Sequence, residues 1–182
     1  MTNNASSKSL CFTSEENLTM KLKYTKLQLA LEIIGLLLLV GMVTFIYIQW
    51  DQIPQQVPMH YNALGEIDSW GSKYQTLILP AISILLYSFM TVVSFFPQIW
   101  NVPVQITDKN KEAVYLSTKN LIIFLKVEML TIFFYLNYHT VTAQPLSITF
   151  LPILMIIIFG TLVFFIVRII RLGNEKKYNR EF

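Results

Sequence analysis

Long apolar runs alternate with short polar segments along the chain. Four runs, residues 27–48, 74–96, 121–138 and 148–170, are long enough to cross a bilayer, because a helix rises about 1.5 Å per residue and the hydrocarbon layer is roughly 30 Å thick. Lipid offers backbone amides no hydrogen-bond partner, so each crossing is expected to be helical. The pattern predicts an all-α integral membrane protein, a four-helix transmembrane bundle with a small, hairpin-like extracytoplasmic loop between helices 1 and 2.

Local signals refine two of these helices. The third run is short, and a Thr-Asp pair at 107–108 offers a cap before it, so residues 111–120 are predicted to extend it into one long bent helix. Ser72 followed by Gln75 forms a capping-box pattern that predicts the start of the second helix. Pro80 lacks an amide donor, so it predicts a kink within that helix.

Composition and charge agree with a membrane location. Hydrophobic residues make up 54% of the chain and charged residues 14%, and the mean hydropathy of +0.51 is high for a soluble domain. Lysines and arginines precede the first span, separate the second from the third, and follow the fourth. The positive-inside rule therefore predicts a multi-pass protein with cytoplasmic N- and C-termini and an outward-facing first loop.

The same pattern divides the chain into three parts. We expect a polar cytoplasmic N-terminal segment at 1–26, a four-span membrane domain at 27–172 with its outer loop at 49–73, and a basic cytoplasmic tail at 173–182. Met20 resembles a natural start, so translation is expected to begin at Met1 or at Met20. The cations of the tail suit orientation and anionic lipid headgroups, and no nucleic-acid partner is expected.

The outer loop is predicted to form a small hairpin. Pro54 and Pro58 favour extended backbone, residues 62–65 form a turn in which Gly65 can adopt a positive φ, and residues 66–70 return antiparallel. An isolated hairpin is barely stable in water, so it must pack on the helices. The side chains predicted to face the bundle are Met59, Tyr61 and Ile67, with Trp70 as a further candidate.

The loop also concentrates polar residues that could bind a ligand. His60, Glu66 and Asp68 could converge on a metal cation if the hairpin closes, or they could form turn-stabilising hydrogen bonds and be solvated. Common enzyme signatures, such as a His-Glu-x-x-His motif or a phosphate-binding glycine loop, do not occur, so neither catalysis nor a cofactor is expected. The residues predicted to bind a ligand or to structure the loop are His60, Tyr61, Asn62, Gly65, Glu66, Asp68, Trp70 and Lys73.

Three charged residues lie within predicted spans, away from the last turn of any span, where a charge is costly and usually faces a partner or a cavity. Glu32 and Lys126 lie at similar depths in the first and third spans, and an ion pair between them would place these helices side by side. Alternatively, Lys126 snorkels toward the inner surface while Glu32 stays hydrated, or these charges form a proton or ion relay. Glu128 is expected to face away from the pair.

A specific order of residues runs through the loop and into the second helix: Pro54, Pro58, His60-Tyr61-Asn62, Gly65, Asp68, Trp70-Gly71-Ser72-Lys73 and Pro80. Over residues 50–80 this order resembles the extracytoplasmic segment of the SdpI family, bacterial membrane proteins related to the immunity protein for the sporulation-delaying peptide toxin. The further helical module of longer members is not recognisable in this sequence. The resemblance implies a bacterial cell-membrane protein tied to peptide-toxin resistance or signal sensing.

Three functions are therefore considered. In the first, the protein is not an enzyme, and its outer loop binds a membrane-active peptide to give immunity or to signal inward. In the second it is an accessory subunit of a larger membrane complex such as an exporter, and in the third a small transporter that uses the charges within its spans. The expected partners are the lipid bilayer, an antimicrobial or toxin peptide, and another membrane protein or a cytoplasmic regulator.

Overall fold

A computed structural model of the protein describes residues 23–174. Its four long helices are α1 (Lys26–Gln49), α2 (Ile78–Ser94), α3 (Lys111–Val141) and α4 (Phe150–Asn174). All four helices are long and apolar enough to cross a membrane, if the 3₁₀ turns next to α1 and α2 are counted as part of those two spans. This agrees with the predicted multi-pass architecture. The predictions for Met20, for the chain before residue 23 and for the tail after residue 174 lie outside the described residues.

The longest helix, α3, packs against α1, α2 and α4 and forms the centre of the bundle. It begins at Lys111, so the extension of the third run is confirmed and the span boundaries 121–138 were too short. The predicted cap at 107–108 is wrong, because Asn110 precedes the helix and its side-chain oxygen accepts a 2.8 Å bond from the Thr107 amide. The early turns of α3 bury polar residues that hydropathy assigns to water: Ser117, Thr118 and Lys119.

The start of α1 shows a cap that the sequence analysis missed. The Thr25 hydroxyl accepts a 3.2 Å hydrogen bond from the Gln28 amide, and the Gln28 side-chain oxygen accepts a 3.0 Å bond from the Thr25 amide. This reciprocal pair is a capping box, and it satisfies two amides that the first helical turn leaves unpaired. The helix entry is therefore determined by polar side chains rather than by the apolar run that follows.

The beginning of the second span differs from the prediction. Residues Lys73–Leu77 form a 3₁₀ turn, and α2 begins only at Ile78. Pro80 is then the third residue of α2, so the irregularity predicted within the helix lies at its start, where a missing amide is tolerated. The predicted capping box is wrong, because the Ser72 side chain makes no capping hydrogen bond and Gln75 lies against Gly71 instead.

Between α1 and α2 the chain forms a two-stranded antiparallel sheet. The predicted all-α class is therefore corrected to a mainly helical fold with one small sheet. Strand β1 (Gln56–Tyr61) pairs with β2 (Ile67–Ser72), and Val57 lies opposite Gly71. The turn between the strands is where it was predicted, and Gly65 adopts a φ of 84°. The hairpin prediction is confirmed in its topology.

Of the side chains predicted to face the bundle, Tyr61 and Ile67 are half-buried, whereas the prediction is wrong for Met59 and Trp70. Met59 is 37% exposed and Trp70 is 53% exposed, whereas Val57 and Pro58 are buried. The reason is a register shift between Pro58 and His60, which leaves Met59 unpaired and breaks the alternation on which the prediction rested.

Two contacts attach the hairpin to the bundle. At its base, Val57 packs in an apolar cluster whose other buried members are Ile46, Ile53 and Val141. At its tip, the Gly65 carbonyl accepts a 2.8 Å hydrogen bond from the Leu146 amide in the connection between α3 and α4. The hairpin is therefore held at both ends by the helices and their connections.

Candidate functional site

An ion pair joins α1 to α3 in the bundle. The Lys126 ammonium donates hydrogen bonds of 2.8 and 2.6 Å to the two Glu32 carboxylate oxygens. Lys126 is fully buried, and the Glu32 side chain is 14% exposed. The predicted pairing is confirmed. The snorkelling alternative is wrong, because the Lys126 ammonium binds the Glu32 carboxylate and does not reach the inner surface.

Helix α2 completes the environment of this ammonium. The Thr91 hydroxyl accepts a 2.9 Å hydrogen bond from Lys126, and the ammonium lies 4.8 Å from the centre of the Tyr87 ring. Carboxylate, hydroxyl and ring together replace the water that the cation loses on burial. The pair therefore links three helices at one point.

The third charged residue of the spans faces a different helix. Glu128 accepts a hydrogen bond from the Thr161 hydroxyl on α4. Its second carboxylate oxygen is buried and makes no hydrogen bond within residues 23–174. As predicted, Glu128 does not join the Glu32–Lys126 pair, and the structure does not bring the three charges into one site.

A buried side-chain bond joins α3 to the 3₁₀ turn that precedes α2. Because Pro80 has no amide hydrogen, the carbonyl of Thr76, four residues earlier, receives no bond from position 80. The Asn137 side-chain amide donates a 3.0 Å hydrogen bond to that carbonyl. Both Thr76 and Asn137 are 1% exposed, so water does not supply this bond. The sequence analysis missed Asn137, although Pro80 identifies the carbonyl that needs a partner.

This bond gives a testable expectation. Asn137→Leu should lower the free energy of unfolding by about 1–3 kcal/mol, because it leaves the Thr76 carbonyl buried without its partner. In a Pro80→Ala background the new amide can bond to Thr76, so Asn137→Leu should cost less there. Titration of SDS into the protein in mild detergent measures all four variants. Equal losses in the two backgrounds would contradict the link between Asn137 and Pro80.

The polar residues of the hairpin form two separate pairs. The His60 Nδ1 and the Asp68 carboxylate are 2.6 Å apart, and the Asn62 side-chain amide donates a 2.8 Å bond to Glu66. The Asn62 oxygen also accepts bonds of 2.9 Å from the Leu64 amide and 3.0 Å from the Glu66 amide, which fixes the turn. Across the part of the chain that the structure describes, no group of three His, Cys, Asp or Glu side chains could hold a metal ion. The proposed convergence of His60, Glu66 and Asp68 is therefore wrong.

The remaining loop candidates differ in how far they are buried. Tyr61 is half-buried, and its burial raises the pKa of the phenol, so it stays uncharged in neutral solution. The Lys73 side chain is buried, and its ammonium lies 4.5 Å from the centre of the Trp50 ring. Trp70 is exposed, and so are other apolar and acidic side chains of the hairpin: Met59, Leu64, Glu66 and Asp68.

A polar cluster at the opposite end of the bundle was also missed. The buried Gln28 donates a 2.7 Å hydrogen bond to Asn120, so α1 and α3 are joined there as well. The Lys119 ammonium lies 3.6 Å from the centre of the Tyr24 ring, and burial raises the pKa of the Tyr24 phenol. Lys119 belongs to the cations between the second and third runs, which the positive-inside rule places at the cytoplasmic side, yet its side chain is 1% exposed.

Comparison with known proteins places one part of the chain in a described group. Residues 36–84 match a family described as a domain of unknown function, DUF1648, and this segment contains most of α1, the hairpin and the start of α2. An uncharacterized protein of Archaeoglobus fulgidus is 36% identical over 85 residues, which covers 42% of this chain and 44% of that protein. The chain thus aligns with less than half of that relative. No solved structure matches. The family match is consistent with the SdpI-like resemblance.

Proposed function

We propose that this protein is a non-enzymatic, SdpI-like protein of the bacterial cell membrane whose hairpin binds membrane-active peptides, giving immunity to them or sensing them. The observation that carries the proposal is the exposed surface of the hairpin. The hairpin exposes the apolar side chains of Met59, Leu64 and Trp70 and the carboxylates of Glu66 and Asp68. A cationic amphipathic peptide presents the complementary chemistry, an apolar face and positive charges.

The anchoring of the hairpin supports a binding role. Its two polar pairs and its attachment at Val57 and Gly65 give its backbone a defined shape before any partner arrives. A rigid surface loses less conformational entropy on binding than a flexible loop does. The exposed apolar residues are then available to a partner, because Val57 and Pro58 already supply the contact with the bundle.

The orientation belongs to the same proposal. Cationic residues occur near the start of α1, before and at the start of α3, and near the end of α4: Lys23, Lys26, Lys109, Lys111, Arg168 and Arg171. In four consecutive crossings these positions share one side of the membrane, which the positive-inside rule assigns to the cytoplasm. The hairpin then lies outside, where an arriving peptide first meets the cell.

Two isosteric substitutions test this function. In a strain without the native gene, cells that produce the Glu66→Gln, Asp68→Asn double variant should tolerate less cationic peptide than cells that produce wild-type protein. Loss of two exposed charge contacts should weaken peptide binding by up to about tenfold. Both replacements keep the hydrogen-bonding shape of the hairpin, so folding should be unchanged. Minimum inhibitory concentrations and peptide titrations in detergent provide the two measurements.

Asp51→Asn is the matched control, because Asp51 is an exposed carboxylate that lies before the hairpin. It should leave peptide tolerance at the wild-type level. If deletion of the gene leaves sensitivity unchanged across a broad peptide panel, the proposed function is wrong. The exporter-subunit and transporter alternatives stay predictions, and co-purification in mild detergent and ion-flux measurements in vesicles address them.

A further inference from the structure

A groove of about 420 Å³ lies between α1 and the start of α2, at the hairpin end of the bundle. Its volume is within the range of small-ligand sites. Val43, Ile46, Tyr47 and Trp50 line it from the side of α1, and Leu77 and Pro80 line it from the other side. The lining from Val43 to Trp50 covers seven helical steps, about 10 Å along the helix axis.

A largely buried lysine side chain contacts Trp50, one of the residues that line this groove. Lys73 is 9% exposed, and its ammonium is over the ring of Trp50, which lines the groove. Neither the His60–Asp68 pair nor the Lys126–Glu32 pair includes Lys73, and no carboxylate within residues 23–174 pairs with its ammonium. An aromatic face offsets only part of the cost of burying an ammonium group. An anion at this position would complete its environment.

Exposed aromatic residues give the level of the groove in the membrane. Tyr47 is 83% exposed and Tyr74 is 69% exposed, and the Tyr74 ring centre lies 5.9 Å from that of Trp50. Tyrosine and tryptophan side chains of this kind collect at the boundary between headgroups and acyl chains. Lys73 is therefore at headgroup depth, and the groove extends from Trp50 along α1 to Val43, toward the apolar interior.

We propose that this groove binds one acyl chain of an anionic phospholipid and that the Lys73 ammonium contacts the headgroup of that lipid. The apolar lining favours an acyl chain over a peptide, because peptide amides in the groove would lack hydrogen-bond partners and an acyl chain has none to satisfy. The cation supplies the preference for a negative headgroup. This site is independent of the peptide-binding surface on the hairpin.

Native mass spectrometry of the full-length protein tests the site. Phosphatidylglycerol and phosphatidylcholine with identical acyl chains are titrated separately, and wild-type protein should bind the anionic lipid about fivefold more tightly. Lys73→Met should bring the ratio of the two affinities close to one, and Lys73→Arg should preserve it. Lys23→Met, which removes an exposed lysine at the other end of α1, is the control and should keep the wild-type ratio.

A second variant tests the groove itself. Val43→Trp fills it while Lys73 stays in place, so the affinity for both lipids should fall, and this readout is available even if Lys73→Met does not accumulate. Equal affinities of wild-type protein for the two lipids would overturn the proposal, and so would an unchanged ratio in Lys73→Met. A cationic amphipathic peptide could also displace the lipid. If it does so to the same extent from wild-type protein and from the Glu66→Gln, Asp68→Asn variant, the groove binds the peptide and the lipid proposal is overturned.

Discussion

Glu32→Leu is expected to lower the free energy of unfolding by about 3–5 kcal/mol, because it leaves a buried ammonium without its carboxylate. Lys126 is fully buried, and what remains around it is the Thr91 hydroxyl and the Tyr87 ring. Neither group carries the negative charge that balances the cation. The bundle should therefore unfold at a markedly lower SDS fraction in mild detergent.

The reverse substitution should be milder. Lys126→Met leaves Glu32 unpaired. The Glu32 side chain is 14% exposed whereas Lys126 is fully buried, so the protein encloses the unpaired carboxylate less completely than the unpaired ammonium. The double variant Glu32→Leu, Lys126→Met removes both charges, so it should be more stable than Glu32→Leu alone. Lys26→Met, at an exposed lysine in the first turn of α1, should have little effect and serves as the control.

Non-additivity is the decisive observation for this pair. If the losses in the two single variants simply add in the double variant, the two residues are not coupled and the ion pair does not stabilise the contact between α1 and α3. A proton or ion relay makes a different prediction, since Glu32→Gln should then abolish a flux across vesicles while the protein stays folded. The two experiments separate structural pairing from transport.

The features that could be predicted from the sequence are those with a large and local physical cause. Four apolar runs predict four helices because a helix is the structure in which one segment satisfies its own backbone amides in lipid. The ion pair was predictable for a similar reason, since Glu32 and Lys126 at matching depths have few other ways to lower the cost of their charges. The turn at Gly65 follows from the short-range conformational freedom of glycine.

The features that were missed depend on tertiary contacts between polar groups. The burial of Ser117, Thr118 and Lys119 in the early turns of α3 was missed, because these side chains resemble solvated ones until their neighbours are known. The bond from Asn137 to Thr76 joins positions 61 residues apart, and no local pattern specifies it. Of the candidate site, the turn and its polar residues were predictable, whereas the inward face was not, because the irregular register near Met59 changes which side chains point outward.

Gly65→Ala should release the tip of the hairpin from the bundle. Gly65 has a φ of 84°, where an added Cβ costs roughly 1–2 kcal/mol. That Cβ would also lie 2.5 Å from the Leu146 carbonyl oxygen, so the connection between α3 and α4 would have to move away. The same movement breaks the 2.8 Å bond from the Leu146 amide to the Gly65 carbonyl. Backbone strain, steric overlap and the lost bond therefore act in the same direction.

Hydrogen exchange at the Leu146 amide reports this release directly, because the bond that protects it ends at Gly65. We expect exchange at Leu146 to accelerate about tenfold for each 1.4 kcal/mol by which Gly65→Ala lowers the free energy of opening this contact. Amides in the middle of α3 should keep their protection. Gly160→Ala is the matched control, since an added Cβ there meets no atom within 4 Å. Unchanged exchange at Leu146 in Gly65→Ala would show that the hairpin tip is not held by this contact. If exchange accelerates and peptide tolerance falls with it, the peptide-binding surface depends on a hairpin held in place by the bundle.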